Sequence, residues 1–443
     1  MTDLAALTAT QAAEKIRSGA LTSTRLVEAC LERIAARDGE LHAFAHLDQD
    51  LALAQAHAAD KLQEAGEALP PLHGVPIAIK DVIDARGLPC ENGSAIFQGR
   101  APFQDASCVR QLREAGAIII GKTVSTELAS LTAGPTLNPH NTAHTPGGSS
   151  SGSAVAVATG MAPIALGTQT AGSVLRPASY CGVYGFKPTR GLISRSGILL
   201  QSHTLDTVGV MARSLDDIAL AVDCMSAQDT DDDVSYQRGR ASLLKLSMQA
   251  RPFPPRLAFC KTPAWGFAGQ VTQDAFAELL PSLGDACVEL DLPDACKPIL
   301  DYQALVQLAE NAHYYGPFFE DHPDFLSPGM LDRLKQGMMI TARDYLRAER
   351  ARDVLNEIFE ARYDGFDAVL CPASPGPAPR GIEKTGNPVF NGLWTYLGVP
   401  ALSIPLFSDD GLPFGLQLVG KRHEDGRLLR TARWLVAHLQ GAA

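Results

Sequence analysis

The sequence lacks the patterns that mark several large classes of protein. It has no run of about 18 apolar residues, so we expect no membrane-spanning helix. Lys and Arg number 38 against 49 Asp and Glu, which gives a net charge of -11. This balance argues against a nucleic-acid-binding surface, because phosphate contacts need a basic face.

Cysteine pairs and a leader segment are also missing. The nine cysteines are scattered, and none belongs to a Cys-x-x-Cys pair, which is typical of reduced thiols in a cytoplasmic protein. The N-terminal residues have no basic segment followed by an apolar one, so no signal peptide is predicted. No His, Cys and Asp cluster has the spacing of metal ligands. We therefore expect a cytoplasmic protein without a metal or other cofactor.

What the sequence does contain is an alternation of helical and strand-like segments over its 443 residues. The predicted strands are rich in β-branched residues, and the predicted helices have apolar residues at helical spacing. The strands are predicted at 72–81, 115–123 and 163–170, and the helices at 3–36 (two helices, capped by Thr8 and by Ser23 or Thr24), 52–65, 105–115 and 153–159. This alternation predicts an α/β protein whose sheet is covered by helices on both faces.

The pattern is looser and more helical from about 225 to 364, and strand-like segments return after 366. We expect both ends of the chain to build the sheet and the middle to form a helical cap. No linker or repeat divides the chain, so a single domain over 1–443 is predicted. Its core would comprise about 72–212 and 366–430, and the Gly-containing stretch 171–189 is predicted to be irregular.

The segment GGSSSGS at 147–153 is the most unusual stretch of the chain. Such a composition occurs in linkers and in anion-binding loops, but this segment runs into an Ala-rich helix and lacks the Lys of a P-loop. A serine nucleophile needs a base. His140 and His144 are close in sequence, yet neither has an evident Asp partner, and no Gly-x-Ser-x-Gly elbow is present.

Lys80 is a different candidate for the base, since it ends the apolar run IAIK. An ordinary lysine, with a pKa of about 10.4, is charged at neutral pH and cannot accept a proton. Burial among apolar groups and hydroxyls can lower that pKa by several units. A Ser-Ser-Lys relay would then need no histidine.

Five segments together resemble the amidase signature family. They are HGVPIAIKD, AGAIIIGKT, TPGGSSSGSAVAVATG, ALGTQTAGSVLRPASYCGVYGFKPTRG and GLPFGLQLVG. The resemblance covers about 72–211 and again about 366–429. It implies a mixed β-sheet of about eleven strands flanked by helices. It also implies an amidase, a serine hydrolase that cleaves C–N bonds of linear amides through an acyl-enzyme.

Carried over position by position, the resemblance implies a Ser-cisSer-Lys triad. Lys80 matches the family lysine, Ser149 matches the serine that follows a cis peptide bond, and Ser173 matches the nucleophile. Ser150 is a candidate for steadying the site through hydrogen bonds. The oxyanion hole would be formed by backbone amides, those of Thr170, Ala171, Gly172 and Ser173.

The chain departs from the commonest family pattern at several positions. Gln169 replaces an Asp, Ala171 replaces a Gly, and Arg176 comes three residues after the nucleophile instead of two. This form is similar to malonamidase, in which an arginine at that position holds a substrate carboxylate. Arg176 could have that role or could brace loop carbonyls. Val124 and Ser125 replace the commoner Asn-Met, which places Ser125 as a candidate on the acyl side of the pocket.

Substrate choice is expected to depend on the variable middle of the chain. Seven residues are candidates for a pocket rim, and Trp394 among them is taken as a tentative substrate-binding residue: Trp265, His313, Tyr314, Tyr315, Phe318, Phe319 and Trp394. They favour aryl or apolar amides, carbamates (urethanes) or esters. One alternative is a hydrolase for monoamides of dicarboxylic acids or for urea derivatives, with Arg176 on a carboxylate. Another is a non-catalytic or glutaminase-type subunit of a larger complex.

The expected partners follow from these hypotheses. They are a small amide or carbamate substrate and water, with a second copy of the chain, forming a homodimer, as a further candidate. Neither nucleic acid nor a membrane is expected.

Overall fold

One mixed β-sheet organises the molecule. The structure is a computed structural model that describes residues 3–236 and 241–441. Within these residues the strands are β1 (Phe44–Leu47), β2 (Pro76–Lys80), β3 (Ile118–Thr123), β4 (Ile164–Gln169), β5 (Tyr184–Lys187), β6 (Thr207–Ala212), β7 (Leu257–Phe259), β8 (Cys287–Glu289), β9 (Ala368–Pro372), β10 (Ala401–Asp409) and β11 (Leu412–Val419). Their order is β1-β3-β2-β4-β6-β5-β10-β11-β9-β7-β8, in a sheet of 11 strands. The predicted fold class is confirmed.

The sheet mixes parallel and antiparallel pairs. Strand β2 is parallel to both β3 and β4, and β7 is parallel to both β8 and β9. The other neighbouring pairs are antiparallel. Because β2, β3 and β4 run in the same direction, their carboxyl ends meet at one edge of the sheet. Lys80 ends β2 and Gln169 ends β4, so this edge gathers the predicted site residues.

Helices cover both faces of the sheet. In the described residues they are α1 (Ala9–Arg17), α2 (Ser23–Leu41), α3 (Gln49–Glu64), α4 (Ser107–Glu114), α5 (Ser151–Ala158), α6 (Leu175–Cys181), α7 (Leu215–Cys224), α8 (Leu243–Ser247), α9 (Gln270–Leu283), α10 (Ile299–Asp321), α11 (Pro328–Met338), α12 (Ala342–Arg362), α13 (Val389–Leu397) and α14 (Asp425–Leu439). Strand β2 illustrates the layering: Ile77 and Ile79 join the core beneath α1, α4 and α7, whereas Ala78 joins the core beneath α2, α3 and α5. Side chains alternate across a strand, so both faces of β2 are buried.

Two segments differ from the sequence predictions. The stretch 171–189 is not irregular, because it contains α6 and β5. Pro177 lies in the first turn of α6, where its missing N–H costs no intrahelical bond. The region 225–364 is not purely a helical cap either, since β7 and β8 extend the sheet at its edge. Helices α10, α11 and α12 form the cap itself, and this name is used for them below.

Smaller features at the N-terminus and elsewhere match the predictions in part. Thr8 caps α1 and forms a capping box with Gln11. Thr22 caps α2, so the expectation of Ser23 or Thr24 was wrong by one or two positions. All nine cysteines are unpaired. Among the described residues, no helix is long and apolar enough to cross a membrane.

Candidate active site

The serine-rich loop is held to the sheet by a separate contact from each of its serines. Ser149 Oγ accepts from Lys80 at 2.7 Å. Ser150 Oγ bonds both the amide and the carbonyl of Thr168 at 3.3 Å, so it does steady the end of β4. Ser151 Oγ donates to the Val124 carbonyl, and Ser153 Oγ donates to that of Leu166. Four small hydroxyls therefore fix the start of α5 against β2, β3 and β4, which excludes the linker hypothesis.

Glycine at 147 allows the loop to approach the following helix. Gly147 has a φ of +83°, and a Cβ there would lie 2.8 Å from Pro177 Cα. The peptide bond between Gly148 and Ser149 is cis, as the resemblance implied. The next amide, that of Ser150, donates to the carbonyl of Ser173 at 3.3 Å. The segments that contain the two predicted triad serines are thus adjacent.

Lys80 is completely buried at the end of β2, and its amine meets hydroxyl groups. Nζ donates to Ser149 Oγ at 2.7 Å and to Thr168 Oγ1 at 2.9 Å. Burial lowers the pKa of Lys80 to about 7, and the charge of Asp206 opposes that shift. A large fraction of the amine is therefore neutral near pH 7, which a proton acceptor requires. Sequence reasoning had missed Thr168, whose signal was its position on the neighbouring parallel strand.

Two other fully buried lysines have different surroundings. Lys122 Nζ lies 3.2 Å from a carboxylate oxygen of Asp81. Lys187 Nζ donates to the carbonyls of Pro188 and Val399, and burial lowers its pKa to about 7 as well. A carboxylate or a carbonyl cannot pass on a proton as a hydroxyl does. Only the surroundings of Lys80, among these three lysines, suit a proton relay.

The predicted nucleophile Ser173 lies in the turn between β4 and α6 and is partly exposed. The preceding segment is shaped by close packing. A Cβ at Gly172 would lie 2.5 Å from Asn391 Oδ1 and 2.9 Å from Pro388 Cβ, so the segment can approach α13 only with glycine. In the described chain, the amides of Ala171, Gly172 and Ser173 donate no hydrogen bond. They remain available to an incoming oxygen.

Gln169 has a structural role that the sequence did not reveal. Its Oε1 accepts from the amides of Val174 and Leu175 at 2.8 and 3.0 Å, and so caps the start of α6. Its Nε2 donates to Thr395 Oγ1 at 2.9 Å, and Thr395 in turn donates to the Ala171 carbonyl. The side chain that replaces the usual Asp therefore ties the turn of Ser173 to α6 and α13.

Arg176 is buried beneath the serine-rich loop. It is 2% exposed, and its Nη2 donates to the Gly148 carbonyl at 2.6 Å and to Thr385 Oγ1 at 2.9 Å. Nε and Nη1 have no partner among the described residues. Burial lowers the pKa of Arg176 to about 10, which leaves the guanidinium charged at neutral pH. The contact with Gly148 matches the bracing role that the sequence analysis left open.

The tentative substrate-binding residues Ser125 and Trp394 lie in different surroundings. Ser125 lines a cleft of about 920 Å³, and its buried Oγ has no partner among the described residues. Trp394 is fully buried in the core, with its ring centroid 5.5 Å from that of Phe359. Because it faces the core side of α13, this placement does not favour the predicted contact between Trp394 and substrate.

The other aromatic candidates divide in the same way. Trp265 packs edge-on against Phe259 and Phe276 and belongs to the core. The remaining candidates belong to α10, and a cavity of about 290 Å³ is lined by Tyr314, Tyr315 and Phe318 together with Phe97. His313 and Tyr314 also line a second cavity of about 640 Å³. Phe319 packs in the small core under α10 and α11.

Histidine and metal chemistry find no support at this edge of the sheet. His140 Nε2 lies 3.0 Å from the Cys181 carbonyl, and His144 Nδ1 lies 2.8 Å from the Ala378 carbonyl. Both rings are thus occupied with main-chain oxygens. Across residues 3–236 and 241–441, no group of three or more His, Cys, Asp or Glu side chains could hold a metal ion.

Comparisons with known proteins agree with this geometry. A model of the amidase family matches residues 25–429. The glutaminase-type relative from Streptomyces coelicolor, a subunit of the glutamyl-tRNA(Gln) amidotransferase, is 33% identical over 474 residues, covering 97% of this chain and 95% of that protein. A vestigial protein complex of an s-triazine catabolic enzyme, with inhibitor bound, has a TM-score of 0.91 at 29% identity, covering 99% of each chain.

A peptide amidase, PAM, is also similar. In complex with the competitive inhibitor chymostatin it has a TM-score of 0.86 at 29% identity, covering 100% of this chain and 99% of that one. The chain belongs to the amidase family, and it is an enzyme that acts on amide C–N bonds.

Proposed function

We propose that the protein hydrolyses small or aryl amides through an acyl-enzyme on Ser173, with Lys80 as the base and Ser149 between them. Neutral Lys80 takes a proton from Ser149, which takes one from Ser173. The Ser173 oxygen then attacks the carbonyl carbon, and the C–N bond breaks as Ser149 returns a proton to the leaving nitrogen. A water molecule cleaves the resulting ester by the same route and releases the acid.

The observation that carries this proposal is the environment of the Lys80 amine. Its two hydrogen-bond partners are hydroxyls, those of Ser149 and Thr168, and it has no carboxylate partner within hydrogen-bond distance among the described residues. Burial brings its pKa to about 7. A general base is most effective when its pKa lies near the working pH. The main-chain contact from Ser150 to Ser173 supports placing the nucleophile next in the relay.

The segment Thr170–Ser173 would stabilise the tetrahedral intermediate. Amides that donate to no other described residue can donate to the developing oxyanion instead. Such donors commonly contribute roughly 10²–10³ in rate. Gln169 and Thr395 hold the segment in place before substrate arrives, so little reorganisation is needed at the moment of reaction.

The cavity lined by Phe97, Tyr314, Tyr315 and Phe318 supports apolar or aryl substrates, including carbamates and esters. Its aromatic lining offers large apolar surface to a ring. A panel of anilides, aliphatic amides, carbamates and esters, ranked by kcat/KM, tests this preference. A flat ranking with no advantage for aryl groups would contradict it.

The mechanism is tested by labelling with a fluorophosphonate followed by peptide mass analysis. We expect a covalent adduct on Ser173 in the folded wild-type protein and none in Ser173→Ala. Lys80→Met should react much more slowly than the wild type at neutral pH. An adduct on another serine, or none with amidase activity intact, would contradict the proposed nucleophile.

The alternative of a carboxylate-bearing substrate rests on Arg176. Its guanidinium is charged and buried, has no carboxylate partner among the described residues, and has two nitrogen atoms without partners there. A substrate carboxylate would neutralise it. Arg176→Gln should then lower kcat/KM far more for a dicarboxylic monoamide than for a neutral amide. Equal losses on both substrates would assign Arg176 to bracing Gly148 alone.

The alternative of a subunit within a larger complex rests on the amidotransferase relatives. In that case the chain would act as a glutaminase and would be active only with partner proteins. L-glutamine hydrolysis by the purified chain, compared with hydrolysis of an anilide, separates the two functions. Light scattering on the same sample would report whether the isolated chain forms the predicted homodimer.

A further inference from the structure

Asp206 is a buried carboxylate that connects to the segment before Ser173. It lies at the end of the turn that precedes β6 and is 2% exposed. Its Oδ1 accepts from the hydroxyl of Thr170 at 2.5 Å. Its Oδ2 accepts from the amides of Gln201 and Ser202 at 2.7 and 3.0 Å. One carboxylate thus joins the turn 201–206 to the first residue of the proposed oxyanion hole.

The same turn is fastened to the cap. Asn311, on α10, donates through Nδ2 to the Gln201 carbonyl at 2.9 Å. Gln201 Nε2 donates to the Ala129 carbonyl at 2.7 Å. Ser202 Oγ donates to Glu310, also on α10. The position of Asp206 is therefore determined by the cap as well as by the sheet.

Several charged or titratable groups face the Asp206 carboxylate. Lys80 interacts with it electrostatically from β2, Arg195 does so from the segment before the turn, and the phenols of Tyr314 and Tyr315 do so from α10. Burial raises the pKa of Asp206, and its bonds with Thr170, Ser202 and Gln201 lower it. The Asp206 charge in turn opposes the burial that lowers the pKa of Lys80.

We infer that Asp206 is a positioning residue of the catalytic site: its carboxylate holds Thr170 and links the proposed oxyanion segment to α10. The inference rests on the proposed function, because it assigns a purpose to Thr170 only if that segment receives the oxyanion. Holding Thr170 from the side-chain oxygen leaves the backbone amides beyond it unencumbered. Small displacements of such donors are costly, about 10²-fold for 1 Å.

Two substitutions separate the contact from the charge. Thr170→Val keeps the β-branched shape but removes the hydroxyl, and it should lower kcat roughly ten- to hundredfold with little change in KM. Thr170→Ser restores a hydroxyl and should recover most of that loss. Asp206→Asn can keep all three hydrogen bonds, because the Thr170 hydroxyl can accept from the new amide, but it removes the negative charge. Without that charge, the acid limb of kcat/KM should move to lower pH.

Asp217 offers a matched control outside the site. Its carboxylate is fully buried and accepts from the amides of Ala9 and Thr10 and from the Thr10 hydroxyl, each at 2.9 Å. Asp217→Asn therefore loses the same kind of buried charge while leaving the catalytic edge untouched. We expect a changed thermal midpoint for this variant, with an acid limb that matches the wild type.

The outcomes distinguish this inference from the proposed function. If the wild type forms no adduct on Ser173, the proposed function fails, whatever the Asp206 variants do. If the adduct forms, the inference is wrong when Thr170→Val keeps the wild-type kcat, or when the Asp206→Asn acid limb coincides with that of Asp217→Asn. Should Asp206→Asn fail to fold, the Thr170 pair decides alone, because a merely structural role would lower stability without the hydroxyl-dependent loss and recovery of kcat.

Discussion

Lys80 Nζ and Ser149 Oγ lie 2.7 Å apart, and both residues are completely buried. One residue ends a strand of the sheet, and the other begins the approach to α5. The pair is an amine and a hydroxyl in a water-poor environment. There the neutral amine is favoured by burial, and a proton can pass between the two groups without solvent.

The first prediction concerns the acid limb of the pH–rate profile. Because Lys80 must be neutral to accept a proton, kcat/KM should fall below an apparent pKa of about 7. The decline should be about tenfold per pH unit well below that value. Lys80→Met should lower kcat/KM by roughly 10²–10⁴ across the neutral range. A profile that remains flat from pH 5 to 9 (roughly the range over which a histidine or a perturbed lysine titrates) would contradict the assignment.

Lys187 provides the second prediction and a matched control. Burial lowers its folded-state pKa to about 7, against 10.5 as the ordinary value. Between these pH values the unfolded chain binds more protons than the folded one, so this group makes stability rise with pH over that window. Lys187→Met should flatten the rise, measured by urea unfolding at several pH values. It should leave the acid limb of kcat/KM in place, and a shifted limb would mean that Lys80 is not the titrating group.

The third prediction tests the close packing of the oxyanion segment. Gly172→Ala would place a Cβ 2.5 Å from Asn391 Oδ1 and should displace the backbone amides at that position. We expect kcat to fall by roughly 10² or more, with the enzyme still folded. The control is Gly39→Ala in α2, where nothing lies within 4 Å of the new Cβ. That variant should keep full activity, with stability raised by roughly 0.5–1 kcal/mol.

The strands nearest the site could be predicted because they are long and apolar. Strands β2, β3 and β4 have five or six residues each and lie within the predicted ranges. Strands β7 and β8 have three residues each, too few for a period of two to be recognised. Helix α6 was missed because its seven residues include Pro177 and follow a glycine-containing turn.

The site itself was predictable only in part. Periodicity placed Lys80 at the end of a strand, but the partnership with Ser149 and Ser173 came from the family resemblance. Contacts between positions far apart in the chain give no local signal, and Asp206 with Thr170 is such a pair. The role of Gln169 was hidden for the same reason, since its partner Thr395 lies 226 positions away.

Gln169 is therefore the subject of the fourth prediction. Gln169→Leu keeps much of the shape but removes the acceptor for the Val174 and Leu175 amides and the donor to Thr395. Loss of a helix cap typically costs about 0.5–2 kcal/mol. We expect a reduced free energy of unfolding together with a lower kcat, because the turn of Ser173 loses its anchor. Gln169→Glu keeps the acceptor and should be less impaired, and equal damage in both variants would argue against the capping role.

The last prediction concerns Trp394, which the structure places in the core rather than on a substrate-facing rim. Its side chain is fully buried beside Phe359, so Trp394→Ala should lower the free energy of unfolding by roughly 3–5 kcal/mol. The ratio of kcat/KM for an anilide to that for an aliphatic amide should stay unchanged in the folded fraction. Tyr314→Ala is the comparison, because Tyr314 is partly exposed and lines two cavities. It should change that ratio with little effect on stability, and the opposite pattern in the two variants would return Trp394 to the substrate pocket.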